Sequence, residues 1–379
     1  MRFESRLNAV ARSPVIRFAA VGFVLGFFAW RWDATTGFTG LMRFGDENAA
    51  RRLPVLQDLP IAGSPRYGYD GQFYAQIAVE PDVTDPALAH ALDKPSYRPR
   101  RILLPLLAHA LGAGRPWVVL QVFALLHAAA WLWFAAVFWR LLPPTDWRAT
   151  AAWLGIVLGV GVLDCVRLTL TDLPAALLLA LAARAMELGR PAATAAWVLL
   201  AGLTREVSLA GALVVQHARG GWRTFGLRAA CTAPVFGWCA WLAWRLPGPI
   251  GHEGNIDWPG AAFVRQEWQN AGALLTGSTN PGVVFGLLGG IGLAAQSLFV
   301  LREWRSFASN PWVRIGLPFA VLFWLIGVDP WLDYRAVARD CLPMTLVFNL
   351  LWARRAGAHP LWLLANLGVI DGVIRFAPP

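Results

Sequence analysis

From Trp117 to Trp139 the chain runs without one charged side chain, and only Gln121 and His127 interrupt it with polar groups. Wound as a helix at about 1.5 Å per residue, such a run crosses the roughly 30 Å hydrocarbon core of a bilayer. Lipid offers no water to satisfy an open peptide group, so a spanning segment must be a helix or a strand of a closed barrel. A barrel would show short segments of alternating polarity, whereas this run is continuous and has many companions. They lie at 117–139, 149–163, 172–187, 191–203, 206–217, 225–246, 281–301, 313–328, 340–352 and 360–376, and an apolar stretch ending at Trp30 makes eleven. With 57% hydrophobic and 15% charged residues, the chain is too apolar for a soluble globule of its length. The expectation is an all-α, polytopic membrane protein whose residues 1–379 form one transmembrane domain.

Charge sets the topology. The first apolar stretch has a basic leader and ends at Arg31 and Trp32, as an interface-anchored helix does; no small-residue cleavage site marks it as a signal peptide. A polar stretch to Pro99 follows, longer than most connections and therefore a candidate for function. Within it GQFYAQIAVE is predicted to be a short amphipathic helix. The run at 101–113 is too short to span and reads as an interfacial or re-entrant helix. With the N-terminus cytoplasmic, the short inner segments hold sixteen Arg against four acids, as the positive-inside rule requires. Residues 31–116 then form a first extracytoplasmic loop with two interfacial helices, and 247–280 a second.

The formal charge of +10 would suggest nucleic acid in a soluble domain; here lipid topology accounts for it, and no nucleic-acid partner is expected. Cys165, Cys231, Cys239 and Cys341 show no CxxC or Cys/His spacing, so neither a zinc site nor a disulfide framework is indicated. No metal and no cofactor is expected.

Ionisable residues collect on the predicted outer face: Asp70; Arg98, Arg100 and Arg101; Asp164, Arg167 and Asp172 in LDCVRLTLTDLP; Arg205 and Glu206 between two half-length helices; His252, Glu253 and Asp257 in the second loop; and Asp333, Arg335, Arg339 and Asp340 in DYRAVARD. Such groups cost about 2.5–3.5 kcal/mol each at mid-bilayer on insertion scales, so a cluster asks for a reason. Bland readings stand beside the functional one. Arg205 and Glu206 can close a helix break, Asp172 can cap a helix, DYRAVARD can be a solvated loop, and Asp70-Gly71 a turn. Functionally, a sugar on a polyprenyl phosphate places an anion at the membrane surface. Its displacement needs guanidiniums where charge develops, a role for Arg98, Arg100, Arg101 and Arg205. The incoming hydroxyl needs a base, a role for Asp70. Tyr69, Gln72, Tyr74, Asp172, Glu206, Arg335 and Arg339 are the candidate substrate contacts.

The layout resembles the GT-C superfamily of polytopic glycosyltransferases, which includes protein O-mannosyltransferases and lipid A aminoarabinose transferases. The resemblance rests on YDGQFYAQIA after the first helix, YRPRRILLPLLAHAL leading into a second interfacial helix, and the outer acid of TDLPAALLLALAARA, and it covers residues 10–217. It implies that Asp70 is the base or sits at the catalytic centre, and that Arg98 or Arg100 lies near the lipid phosphate. It implies transfer from a polyprenyl-phosphate donor to a glycan, lipid or protein acceptor, at the periplasmic face of a bacterial inner membrane. The family often carries Asp-Glu or Asp-x-Asp in this loop, whereas Asp70 is followed by Gly71, which argues against metal. Two other readings remain open: a transporter or flippase of lipid-linked glycans, and a structural membrane subunit in which the outer charges pair with each other.

Overall fold

The computed structural model describes residues 14–218, 220–246, 248, 254–355 and 357–377, so His252 and Glu253 lie outside the described residues. Helix dominates. The one sheet among the described residues is a parallel pair, Phe44–Gly45 beside Gly63–Ser64.

Three helices there are long and apolar enough to cross a membrane: Pro116–Leu141, Trp147–Arg167 and Pro281–Ser306. The eleven apolar runs therefore do not become eleven long helices. Pro191–Thr204 and Pro311–Leu325 have 14 and 15 residues, a reach of little more than about 20 Å. Each begins on a proline, which fits the first helical turn and cannot continue an earlier one. The first ends where Arg205 turns extended, and beyond it Glu206–Val214 is a 3-10 helix. The expected break at Arg205-Glu206 is thus present.

Contacts group the chain into two compact units, one of Met1–Leu25, Leu132–Asp164 and Glu253–Pro379, the other of Gly26–Trp131 and Cys165–His252. The first unit has a polar seam among its helices. Thr345 donates to Gln296 Oε1 at 2.7 Å, Gln296 donates to the Ala365 carbonyl at 2.8 Å, and Asn349 and Asn366 exchange amide hydrogen bonds. Closed in this way, the amides are affordable inside an apolar bundle.

The second unit holds the long polar loop, which the sequence pattern does not resolve into its parts. Its centre is the helix Gly71–Val79, all nine of whose residues are buried. The short helix expected there is present, and its polar side chains meet other parts of the loop. Gln72 accepts from the Gly45 N–H at 3.0 Å and donates to the Tyr67 carbonyl at 2.7 Å, and one turn later Gln76 accepts from the Leu53 N–H at 3.0 Å. A loop with little ladder of its own leaves peptide groups open, and these side chains close them. Gly71 opens the helix for a steric reason: a Cβ there would lie 2.3 Å from the Leu168 carbonyl oxygen and 3.1 Å from that of Met42.

Candidate functional site

Asp70 is the N-cap residue of the Gly71–Val79 helix, yet its side chain makes no capping hydrogen bond. The carboxylate turns to Arg98, with Arg98 Nη1 2.8 Å from Asp70 Oδ2 and Nη2 donating to Oδ1 at 2.9 Å. Arg98 grips a second carboxylate in the same way, Nε to Asp93 Oδ1 at 2.8 Å and Nη2 to Oδ2 at 2.7 Å. Its guanidinium is buried over the Phe73 ring at 4.9 Å, while the Asp70 side chain remains 41% exposed. Burial alone would make Arg98 easier to deprotonate, but the Asp93 hydrogen bonds and the Asp70 charge outweigh it and raise its pKa. Arg98 is therefore a charged counter-ion shared by two acids. It positions Asp70.

Arg101 is likewise occupied. It donates to Glu206 Oε2 at 3.2 Å and to the hydroxyls of Tyr74 and Tyr97, both at 2.6 Å. Arg205 pairs with Asp172, the first residue of its helix, so Asp172 does not serve as the cap. Gln72 is used by loop backbone, and Tyr69 donates its N–H to the Arg43 carbonyl at 3.0 Å. Arg100 differs. Its guanidinium makes one hydrogen bond, to the Ser96 carbonyl at 3.3 Å, and lies over the Tyr97 ring, with no carboxylate partner among the described residues. All these candidates belong to the second unit. Arg335 and Arg339 belong to the first, where they pair with Asp333 and Asp164.

Sequence reasoning missed a group of three arginines. Arg31, half-buried, donates to the Gly40 carbonyl at 2.8 Å and feels the charges of Arg43 and Arg167. Arg43 also feels Arg167; first burial and then that like charge lower its pKa. Neither Arg31 nor Arg43 has an acid partner among the described residues; nearby Asp33 is taken up by the N–H groups of Thr35 and Thr36. The backbones beside two of them, Met42 and Leu168, are those that press on Gly71 next to Asp70. Arg43 and Thr169 hold φ values of 58° and 49°, a left-handed conformation that costs about 1–3 kcal/mol for a non-glycine residue and clusters at binding sites. Like charges held close together and partly desolvated raise one another's energy. A usable signal was present for Arg31, which ends an apolar helix and whose neighbouring acid, Asp33, is used locally.

No protein-family model, curated protein or solved structure matches the chain.

Proposed function

We propose that the chain is a polytopic membrane glycosyltransferase of GT-C type that moves a sugar from a polyprenyl phosphate to an envelope acceptor. The eleven apolar runs cross a bacterial inner membrane, several as short or broken helices, with the N-terminus cytoplasmic and Asp70 facing the periplasm. The observation that carries the reading is the pairing of one exposed carboxylate, held by a buried arginine, with a neighbouring group of arginines that includes Arg31 and Arg43, both without acid partners among the described residues.

Charge arithmetic makes the two halves complementary. A sugar polyprenyl phosphate is a monoanionic diester. As the acceptor oxygen bonds to the anomeric carbon, the bond from that carbon to the phosphate oxygen breaks and the phosphate departs as a dianion. The acceptor's proton goes to Asp70 and then to solvent. Charge on the phosphate grows during the step, so the arginine group stabilises the transition state more than the bound donor. The bidentate hold of Arg98 fixes the orientation of the Asp70 carboxylate, and a leaving group that needs no proton requires no second acid. Direct displacement inverts the anomeric centre.

A second reading, a structural membrane subunit, has its own support in the pairs made by Arg98, Arg101, Arg205, Arg335 and Arg339. Transfer assays decide between them. Purified protein is given a panel of polyprenyl-phosphate sugars and an envelope glycan fraction, with Asp70→Asn alongside. Turnover by wild type and a loss of at least about 100-fold in the variant are expected. Absence of transfer from every donor, or turnover by Asp70→Asn within a few-fold of wild type, rejects the proposal.

A further inference from the structure

The first unit contains a cavity of about 390 Å³ bounded by the helix Ala261–Leu275, the start of the helix Pro281–Arg302 and the segment Trp331–Arg335, with Arg375 beside them. Its volume equals that of roughly a dozen waters at ~30 Å³ each, enough for one or two sugar rings. Three amides line it. Gln266 donates to Asn270 Oδ1 at 3.3 Å, leaving its own Oε1 open and the Asn270 amide nitrogen turned towards Gly286. The Asn280 carbonyl oxygen caps the Pro281 helix, accepting from the Gly282 N–H at 2.9 Å, which leaves its amide nitrogen for a ligand. Aromatic surface comes from Trp331 and Tyr334.

The cations in the wall are neutralised. Arg335 spans both oxygens of Asp333, with Nε to Oδ1 at 2.7 Å, and Arg375 donates to Asp371 Oδ1 at 2.6 Å while the Tyr334 hydroxyl donates to Oδ2 at 2.7 Å. No positive surplus is left for a phosphate, in contrast with the arginines near Asp70. Open amide donors and acceptors and matched charges, beside aromatic lining, together suit a ligand rich in hydroxyls and without net charge. We infer that this cavity is a binding site for a neutral saccharide, lined by Gln266, Asn270, Asn280, Trp331 and Tyr334. The inference stands apart from the transfer reading, since a structural or transport protein could carry the same site.

The test uses the full chain in detergent or nanodiscs and saturation-transfer NMR with methyl glycosides of hexoses and pentoses, each beside its uronate counterpart, and inorganic phosphate as competitor. Neutral glycosides are expected to bind at millimolar affinity, uronates more weakly, and phosphate not to compete. Asn270→Leu should weaken binding about tenfold, the loss of one good hydrogen bond, and the milder Gln266→Ala several-fold, both with unchanged thermal stability. If Asn270→Leu fails to fold, Gln266→Ala and Asn280→Ala carry the test. No binding by any neutral glycoside, equal binding by folded variants, or displacement by phosphate overturns the inference. Asp70→Asn should leave this binding intact, so a failed transfer assay and a failed binding assay point to different errors.

Discussion

Arg98 closes on both oxygens of Asp70, at 2.8 and 2.9 Å, while the same guanidinium holds Asp93 from its other edge. A cation shared by two acids is not lost when one of them is neutralised. Asp70→Asn should therefore fold with a melting temperature within a few degrees of wild type, because Asp93 still compensates Arg98. Arg98→Ala should not, since it strands two carboxylates beside an apolar wall. Removing one member of a fully buried pair costs about 3–5 kcal/mol; with partners a third or more exposed, about 2 kcal/mol is expected. Thermal unfolding of both variants in one detergent measures the difference, and equal losses would contradict the shared-cation geometry.

Arg43 carries the opposite expectation. Burial and the neighbouring Arg167 charge lower its pKa, so folding works against its charged form. Arg43→Gln should raise, or at least not reduce, the stability of the ligand-free protein. It should weaken polyprenyl-phosphate binding by about tenfold or more, as one charge-assisted hydrogen bond of 1.5–3 kcal/mol implies. Such a trade of stability for binding is typical of a functional position. Titration of the lipid phosphate against melting temperature reads both quantities, and a destabilised variant with unchanged affinity would mark Arg43 as structural.

Glu267 supplies a pH dependence. Its carboxyl oxygens are buried without a hydrogen-bond partner among the described residues, close over Gly290 beside the Trp331 ring, and burial pushes its pKa up to about 7 from an ordinary 4.5. A folded pKa above the unfolded one means that this residue's contribution is fully present below about pH 4.5 and fades as pH rises through 7. Glu267→Gln, neutral throughout, should be more stable than wild type at pH 8 and similar to it near pH 5. Melting curves across that range test this, and a constant offset between the two proteins would refute it.

The loop helix predicts a packing effect. Gly71→Ala puts a methyl group 2.3 Å from the Leu168 carbonyl oxygen, a contact with backbone that cannot swing aside, and overpacking of this kind costs about 1–3 kcal/mol. Gln76→Leu leaves the Leu53 N–H unsatisfied, for a further ~1–3 kcal/mol. Limited proteolysis within residues 43–69 should accelerate in both. Protection equal to wild type would show that the loop does not depend on this helix.

Local pattern carried much of the architecture. Continuous apolar runs imply helices in lipid, Pro191 and Pro311 start two of them, the adjacent charges of Arg205 and Glu206 end the first of these, and the brevity of the 101–113 run corresponds to the nine-residue helix Leu103–Leu111. Each of these follows from residues within a turn or two of one another. The burial of the Gly71–Val79 helix did not announce itself, because Gln72 and Gln76 look solvent-facing until the peptide groups of Gly45, Tyr67 and Leu53 come to meet them.

The charges divide in the same way. Placing ionisable residues at helix ends requires only composition and hydropathy, and Asp70 stood out on those grounds. Which acid each arginine takes depends on contacts such as Arg101 with Glu206, 105 positions apart, and no local period encodes a partner at that distance. The grouping of Arg31, Arg43 and Arg167, whose charges act on one another, exists only once three separate segments converge. Hydrophobicity is written residue by residue along a chain, whereas electrostatic partnership is a property of distance in space, and folding alone sets that distance.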